Sequence, residues 1–556
     1  MPNGAEVLVA TLAAHNVEYV FGVCGDTSVD LYRAFSEQEE LTHVLARDER
    51  SAAYMADAYA RLSDKPGICE GPSGGGATYQ LAGVSEANES SVPVVSMNTS
   101  IPIRYRDRGV LTELDQKALY DTVTKWNTSV DHAEQVPRLL RQAFRETTTG
   151  RPGATHLSFP MNVLNDETDA EVYADENAAE YPPYRPTPEQ DRLKAAASLL
   201  AESERPVVVA GGGIHASRAW HEVRAFAEQV GLPVGQTLTS AGCIGDSPYS
   251  IGVVGENGSR RYANEIVREA DTLLLLGTAV ESVWTNKWSQ PSDGAATVIH
   301  ADIEPASIGK NYDTEVALPG DLRKTVEALG DLVGDIGPMW DPADLQARHD
   351  QWIREFEDAF DADDVPLRPE RVVADAASVL EEDAVLVSDP GTPTPYFASL
   401  YPFSEPGRHW VVNRAHGELG YAIPGAVGAA CACPDQQVVA LSGDGSFGIA
   451  GTELETYSRL DLPITVVVFN NNAFSWIEAG QQNYSGFSFG VEFSSLDHAA
   501  IAEEYGVAGF RVESAEEFED AFQAAIEVDG PSLVDVPTQP LPSIDNVPVD
   551  WLEPEA

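Results

Sequence analysis

Val438-Val439-Ala440-Leu441-Ser442-Gly443-Asp444-Gly445-Ser446, then, after a helical segment, Ile464-Thr465-Val466-Val467-Val468-Phe469-Asn470-Asn471-Asn472, is the stretch that decides the fold. Each apolar run predicts a strand, and each ends in a polar cluster. In an open parallel sheet, ligands bind outside the carboxyl ends of the strands, where backbone N–H groups at the next helix N-terminus meet phosphate oxygens. A carboxylate alone repels a diphosphate. An Asp at one strand end and an Asn carbonyl oxygen at the next fit together as ligands of a hard cation such as Mg²⁺, shared with the phosphates. Gly443 and Gly445 let the backbone come close. Taken singly, a Gly-Asp-Gly turn and an Asn-rich loop are both common, and it is their placement after successive strands that carries the reading.

The chain has 556 residues, more than one hydrophobic core usually organises, which predicts about three domains. It carries 35 Lys plus Arg against 88 Asp plus Glu, a formal net charge of −53. Such a surface repels nucleic acid and anionic membranes, so neither is an expected partner. The acids are spread along the chain, as in Glu516-Glu517-Phe518-Glu519-Asp520, which argues against a disordered acidic tail. Distributed acidity with few lysines fits a salt-accumulating, halophilic cell. No apolar run is long enough to span a bilayer and the first residues lack the pattern of a signal peptide, so a cytoplasmic location is expected. The five cysteines, Cys24, Cys69, Cys243, Cys431 and Cys433, are expected to be reduced and buried.

Alternating helical patterns and short strands run through residues 1–170, 190–340 and 366–545, and predict an α/β protein of three doubly wound parallel-sheet domains. Residues 169–189, with Tyr181-Pro182-Pro183-Tyr184, read as a linker, and the stretch between the second and third domains as an acidic connector. The outer domains look like two copies of one architecture. Gly211-Gly212-Gly213 after a strand fits either a dinucleotide phosphate or a plain tight turn.

The Gly-Asp-Gly and Asn-Asn clusters resemble the cofactor fingerprint of the thiamine-diphosphate-dependent superfamily of acetohydroxyacid synthases and pyruvate decarboxylases. The resemblance extends to Glu49-Arg50-Ser51-Ala52-Ala53-Tyr54-Met55-Ala56-Asp57-Ala58-Tyr59-Ala60-Arg61 and His416-Gly417-Glu418-Leu419-Gly420. It implies a pyrimidine-binding, a middle and a diphosphate-binding domain, in that order. The cofactor carries the hard chemistry and the protein positions and tunes it. Glu49 is the implied activator at the pyrimidine N1′, Leu419 the wedge beneath the rings, and the Gly417 carbonyl the acceptor for the 4′-amino group. Asp444, Asn471 and the Ala473 carbonyl are implied as ligands of Mg²⁺. Gly445 and Ser446 are implied as donors to the diphosphate, and Gly443, Thr392, Phe474 and Gly74, the last on the glycine-rich loop of the activator domain, as further cofactor-binding residues. The family also implies a homodimer or homotetramer with active sites at the subunit interface, and leaves FAD possible in the middle domain.

The pattern departs from the family around the substrate. Asp26 matches an acid that the decarboxylases poise over the reacting carbon, and by the same match Asp26 and Glu478 are the expected catalytic proton donors, but the loop Gly109-Val110-Leu111-Thr112-Glu113-Leu114-Asp115-Gln116 has no His pair. Of the Phe-Gln-Glu of acetohydroxyacid synthases it keeps only Glu113. Their middle-domain Arg is replaced around Ala279, and their acceptor-selecting Trp aligns near Gly480. Trp476 and Glu478 are then expected to line the substrate pocket, or to pack their helix. The expected activity is an acetolactate-synthase-like 2-oxo acid decarboxylase and carboligase, a lyase or transferase. The alternatives are C–C hydrolysis of a cyclic diketone and a catalytically silent, cofactor-binding regulatory subunit.

The charge has one direct consequence. Repulsion between uncompensated surface carboxylates reaches about 10 Å at 0.1 M salt and about 3 Å at 1 M. The melting temperature should therefore rise steeply from low salt to molar KCl, and a flat profile by differential scanning calorimetry would contradict the halophilic reading.

Overall fold

The computed structural model describes residues 1–292, 294–334 and 337–541. The expected third domain runs past them at 542–545. The chain divides into two compact units, the first formed by 1–184, 413–435 and 449–464, the second by 185–412, 436–448 and 465 onward.

The first sheet contains β1 (Tyr19–Gly22), β2 (Thr42–Leu45), β3 (Gly67–Gly71), β4 (Val94–Ser100), β5 (Trp126–Ser129) and β6 (Ala154–Pro160), in the order β2-β1-β3-β4-β6-β5. The second contains β7 (Pro206–Ala210), β8 (Val234–Gln236), β9 (Ser250–Val253), β10 (Thr272–Leu276), β11 (Thr297–Asp302) and β12 (Val316–Pro319), in the order β12-β11-β10-β7-β8-β9. The third contains β13 (Val385–Ser388), β14 (Trp410–Val412), β15 (Val438–Gly443), β16 (Ile464–Asn470), β17 (Ala508–Arg511) and β18 (Ser532–Pro537), in the order β14-β13-β15-β16-β18-β17. The strands run parallel, with helices in the crossovers. The first and third sheets thus repeat one strand order, as the outer segments of the sequence suggest. The middle sheet has the dinucleotide-fold order, reversing direction between β7 and β10. Central strands are buried on both faces, which is why they read as unbroken apolar runs such as Leu273-Leu274-Leu275-Leu276.

In the first unit, small residues set how closely helices approach. The helix Glu49–Leu62, capped by the Asp48 side chain on the Arg50 N–H, is buried from Ser51 to Arg61. Gly83 of the helix Gly75–Glu89 lies against Ala53, and Gly428 of the helix Ala422–Ala432 lies against the main chain at Met55. Between these helices Arg61 Nε donates to Asp57 Oδ2 at 2.6 Å, and the Tyr421 hydroxyl donates to the same oxygen at 2.5 Å. Removing one partner of such a buried pair costs about 3–5 kcal/mol, because the other charge is left uncompensated.

Both stretches expected to be connectors are structured. Asp175 is buried and paired with Arg145 at 2.7 Å, its N–H donates to His15 Nε2, and the Tyr181 hydroxyl donates to the Ala60 carbonyl. Beyond 338, Pro342–Ile353 forms a helix whose Trp352 is buried along with Trp340. Their acidic composition reflects solvent-facing positions, while a few large side chains anchor them. Among the cysteines, Cys69 and Cys243 are buried, but Cys24 is exposed and Cys431 and Cys433 are half-buried; all five are free thiols. None of the described helices is long and apolar enough to cross a membrane.

A Cβ built on Gly428 falls 2.0 Å from the Met55 carbonyl oxygen, a main-chain atom that no rotamer change can move. Overpacking of about 1–3 kcal/mol outweighs the roughly 1 kcal/mol of helix propensity that alanine adds. Gly428→Ala should lower the melting temperature, and an unchanged or raised value would show that the two helices do not meet as closely as described.

Candidate functional site

In the second unit, β15 ends at Gly443 and Asp444 opens the helix Asp444–Ala450. Asp444 is 8% exposed. Its Oδ1 accepts the Gly445 N–H at 2.8 Å, and its Oδ2 accepts the N–H groups of Asn471 at 3.1 Å and Asn472 at 2.5 Å. One carboxylate therefore ties together the ends of β15 and β16. Burial pushes its carboxyl up, opposed by these backbone donors. Asn472 has φ +59°, a left-handed conformation that Asn tolerates better than most residues.

The loop after β16 is held from outside. Phe474 N–H donates to the Val491 carbonyl at 2.8 Å, and Phe493 N–H donates to the Asn472 carbonyl at 2.7 Å. The rings of Phe474 and Phe493 meet edge to face at 4.6 Å. A Cβ on Gly445 would lie 2.5 Å from the Phe474 ring, so this glycine is required by close approach. Asn471 Oδ1 accepts the Ala473 N–H at 3.3 Å. Asp444 and Asn471 thus bring oxygen atoms and backbone N–H groups to the ends of adjoining strands, the donor types that could hold a small divalent cation and a phosphate. Ser446 is buried next to Gly445, and Thr392, also buried, precedes the helix Pro393–Leu400.

Two supporting residues, Asp535 and His498, were not foreseen in the sequence, whereas Asp389 lies on the loop Asp389-Pro390-Gly391-Thr392 expected near the diphosphate. Asn470 Nδ2 donates to Asp535 Oδ1 at 2.9 Å, and the His498 N–H donates to Asp535 Oδ2 at 2.9 Å. Burial opposes the Asp535 charge, but His498 and Asn470 hold its carboxyl below the usual range. Asp389, fully buried, accepts from Ser442 Oγ at 2.8 Å. A single acid inside an otherwise apolar strand, as in Ser532-Leu533-Val534-Asp535-Val536, is the signal that could have revealed the first of these.

Farther along, Glu478 N–H donates to the Phe474 carbonyl, and Glu478 Oε1 accepts from Ser488 Oγ at 3.1 Å. Trp476 is half-buried and packs on the core, so of the two expected pocket residues it has the packing role.

The first unit holds the remaining expected residues. Glu49 begins its helix with its side chain against Gly71 and Gly76, whose added Cβ atoms would lie 3.3 and 3.0 Å from it. Burial pushes the Glu49 carboxyl up, against its own backbone N–H, and the charges of Asp48 and Glu70 push the same way. Glu70, an acid in the buried strand β3, accepts from the Tyr32 hydroxyl and lies 3.1 Å from His43 Nε2. Gly74 has φ +68° at the start of the helix Gly75–Glu89, a conformation strained for any residue with a Cβ. Asp26 is exposed, while its neighbour Thr27 bonds to Thr99 at 2.7 Å and accepts the Ser73 N–H at 3.1 Å. Gly417, at φ +69°, and the half-buried Leu419 lie on the loop before the helix Ala422–Ala432. Glu113 is occupied locally, accepting the N–H groups of Asp107, Gly109 and Val110.

Gly211 and Gly213 are explained by packing: Cβ atoms there would lie 2.5 Å from the Gly277 carbonyl oxygen and 2.7 Å from Gly277 Cα. A separate cavity of about 460 Å³ in the second unit is lined by Gln236, Arg260, His349, Trp352, Tyr401 and Phe403, none of them an expected site residue.

Comparison with known proteins places these observations. Residues 2–119 match the family described as thiamine pyrophosphate enzyme, N-terminal TPP binding domain, residues 193–329 its central domain, and residues 389–536 its C-terminal TPP binding domain. The chain is 32% identical over 565 aligned residues to a probable acetolactate synthase large subunit of Methanocaldococcus jannaschii, covering 98% of this chain and 93% of that protein. It is 30% identical to the acetolactate synthase large subunit of Haemophilus influenzae, covering 95% and 92% of the two chains. Against the acetolactate synthase isozyme 3 large subunit of Escherichia coli the identity is 29%, with coverage of 95% and 92%.

Proposed function

Since this chain belongs to the thiamine pyrophosphate enzymes, we propose that it is a thiamine-diphosphate- and Mg²⁺-dependent decarboxylase and carboligase of 2-oxo acids, similar to acetolactate synthase. The observation that carries the proposal is the Asp444 carboxylate holding the Asn471 and Asn472 N–H groups at adjoining strand ends. In this reading Asp444, Asn471 and the Ala473 carbonyl hold Mg²⁺, and Gly445 and Ser446 donate to the diphosphate. The Gly417 carbonyl accepts from the 4′-amino group, and Leu419 supports the rings. The bound cofactor supplies a nucleophilic carbon for the 2-oxo group.

Glu49 shares a proton with the pyrimidine N1′. Its raised pKa, caused first by burial, suits that task, since a carboxyl that keeps its proton nearer neutrality gives and takes it more readily. Phe474 and Glu478 border the substrate. The reaction breaks the C1–C2 bond of the 2-oxo acid and releases CO₂, leaving the electron pair at C2. That carbon then takes a proton, or bonds to the carbonyl carbon of an acceptor, whose oxygen takes the proton instead. The alignment with acetolactate synthase large subunits supports a second 2-oxo acid as acceptor. In this reading the chain works as a homo-oligomer with its sites between subunits.

Products from a panel of 2-oxo acids and cyclic diketones, in molar KCl with Mg²⁺ and thiamine diphosphate, test the proposal. CO₂ with a hydroxy-keto ligation product is expected, with turnover reduced about 10²- to 10⁴-fold in Glu49→Gln. Ring cleavage of a diketone without CO₂ would favour hydrolysis, and the absence of any turnover a silent subunit. Asp444→Ala should abolish Mg²⁺-dependent binding of thiamine diphosphate in calorimetry, and unchanged affinity would remove Asp444 from the metal site.

A further inference from the structure

The loop that carries Gly417 and Leu419 is anchored by a carboxylate from another part of the same unit. Glu86, on the helix Gly75–Glu89 and fully buried, accepts three successive backbone N–H groups. Its Oε1 takes those of Arg414 at 3.0 Å and Ala415 at 3.1 Å, and its Oε2 that of His416 at 2.9 Å. Ser90 Oγ donates to it at 2.6 Å, and Arg61 Nη2 lies 3.6 Å away. The next acid on the loop, Glu418, interacts with Glu86 through hydrogen bonding and charge, and its buried Oε2 has no donor. The Glu418 carbonyl accepts from Asn413 Nδ2 at 2.7 Å, which closes the loop on itself.

Two neighbouring carboxyls out of water cannot both ionise cheaply, so one proton serves the pair. We propose that Glu86 and Glu418 share this proton as positioning residues, locking the loop 414–418 in the conformation that presents Gly417 and Leu419 to thiamine diphosphate. The cofactor part of this statement rests on the function proposed above; the lock does not. The lock works by preorganisation, because a loop already in place loses less freedom on binding.

Burial, the charge of Glu86 and the hydrogen bond to it push the Glu418 carboxyl up to about 8. Burial also disfavours the Glu86 charge, but Arg61, Ser90 and the loop N–H groups hold its carboxyl below the usual range. The proton therefore resides on Glu418. The other charged or titratable groups around the loop are Arg61 and Asp57 on the helix Glu49–Leu62, Arg414 and His416 on the loop, and Tyr421 at the start of the following helix. Arg61 is engaged with Asp57 at 2.6 Å and Tyr421 donates to Asp57, so neither is reserved for a second charge at Glu418. A carboxyl with a raised folded-state pKa stabilises the fold fully below its ordinary pKa, and this contribution is lost as pH rises through about 8. The loop thus loosens progressively from the ordinary carboxyl range up to about pH 8, and above that both carboxylates are charged and the loss is complete.

Hydrogen exchange at the amides of 414–416 in the cofactor-free protein, corrected for intrinsic rates between pH 6.5 and 9.5, tests the lock directly. Wild type should lose protection by about tenfold per pH unit up to about pH 8 and level off above it. Glu418→Gln, whose amide donates permanently to Glu86, should stay protected throughout. Equal pH dependence in the two proteins, or loss of protection in Glu418→Gln at pH 7, would overturn the proposal. Calorimetry with thiamine diphosphate and Mg²⁺ then separates the two readings. Affinity falling between pH 6.5 and about 8 in wild type but not in Glu418→Gln supports the positioning role. A pH-dependent lock in a protein that binds no thiamine diphosphate supports the shared proton and overturns the cofactor assignment.

Discussion

A carboxylate can be buried at the end of a parallel strand only if fixed donors replace the water it gives up. Asp444 meets this condition with three backbone N–H groups, two of them from the loop after the neighbouring strand. The arrangement binds β15 to β16 at the point where a parallel sheet opens for ligands, and it dictates the surrounding residues. Gly445 must lack a side chain because Phe474 passes over it, and Phe474 is placed there by the pairing of 472–474 with 491–493. Behind the loop, His498 and Asp535 hold the side chain of Asn470, the last residue of β16. A buried carboxylate in this place depends on main-chain geometry more than on side-chain charge.

The same rule separates the acids inside this protein from those outside. The chain carries a formal charge of −53, and most of that charge faces solvent, where dissolved ions screen it. The buried acids have fixed partners instead: Asp57 has Arg61 and Tyr421, Glu70 has Tyr32 and His43, and Glu86 has Arg61, Ser90 and three main-chain donors. Salt acts strongly on the first class and weakly on the second. An acidic protein of this kind can thus respond globally to ionic strength while its internal networks respond to pH.

Much of the architecture was legible in the chain. Strands buried on both faces are necessarily continuous apolar runs, and the polar clusters after β15 and β16 mark the ligand end of their sheet. The repeat of one strand order in the outer sheets followed from similar alternation of elements, and Glu49, Asp444 and Asn471 stand in recognisable local patterns. The two connectors were misjudged because composition records solvent exposure, whereas their order comes from a few anchors such as Tyr181, Trp340 and Trp352. Asp26 resembles a family acid in sequence, yet its side chain is exposed while Thr27 makes the contacts.

What the sequence by itself determined is the element order, the direction of the sheets and the identity of residues whose role is set by their own strand or helix end. What only the tertiary structure decided is which distant groups meet. Glu86 and the His416 N–H are 330 residues apart, and no periodicity or local motif links them. A hydrophobic pattern is a property of one segment, since it reflects which face of that segment leaves water. A buried carboxylate depends on donors brought from elsewhere by packing, and its partners become known only when the helices and loops have been placed.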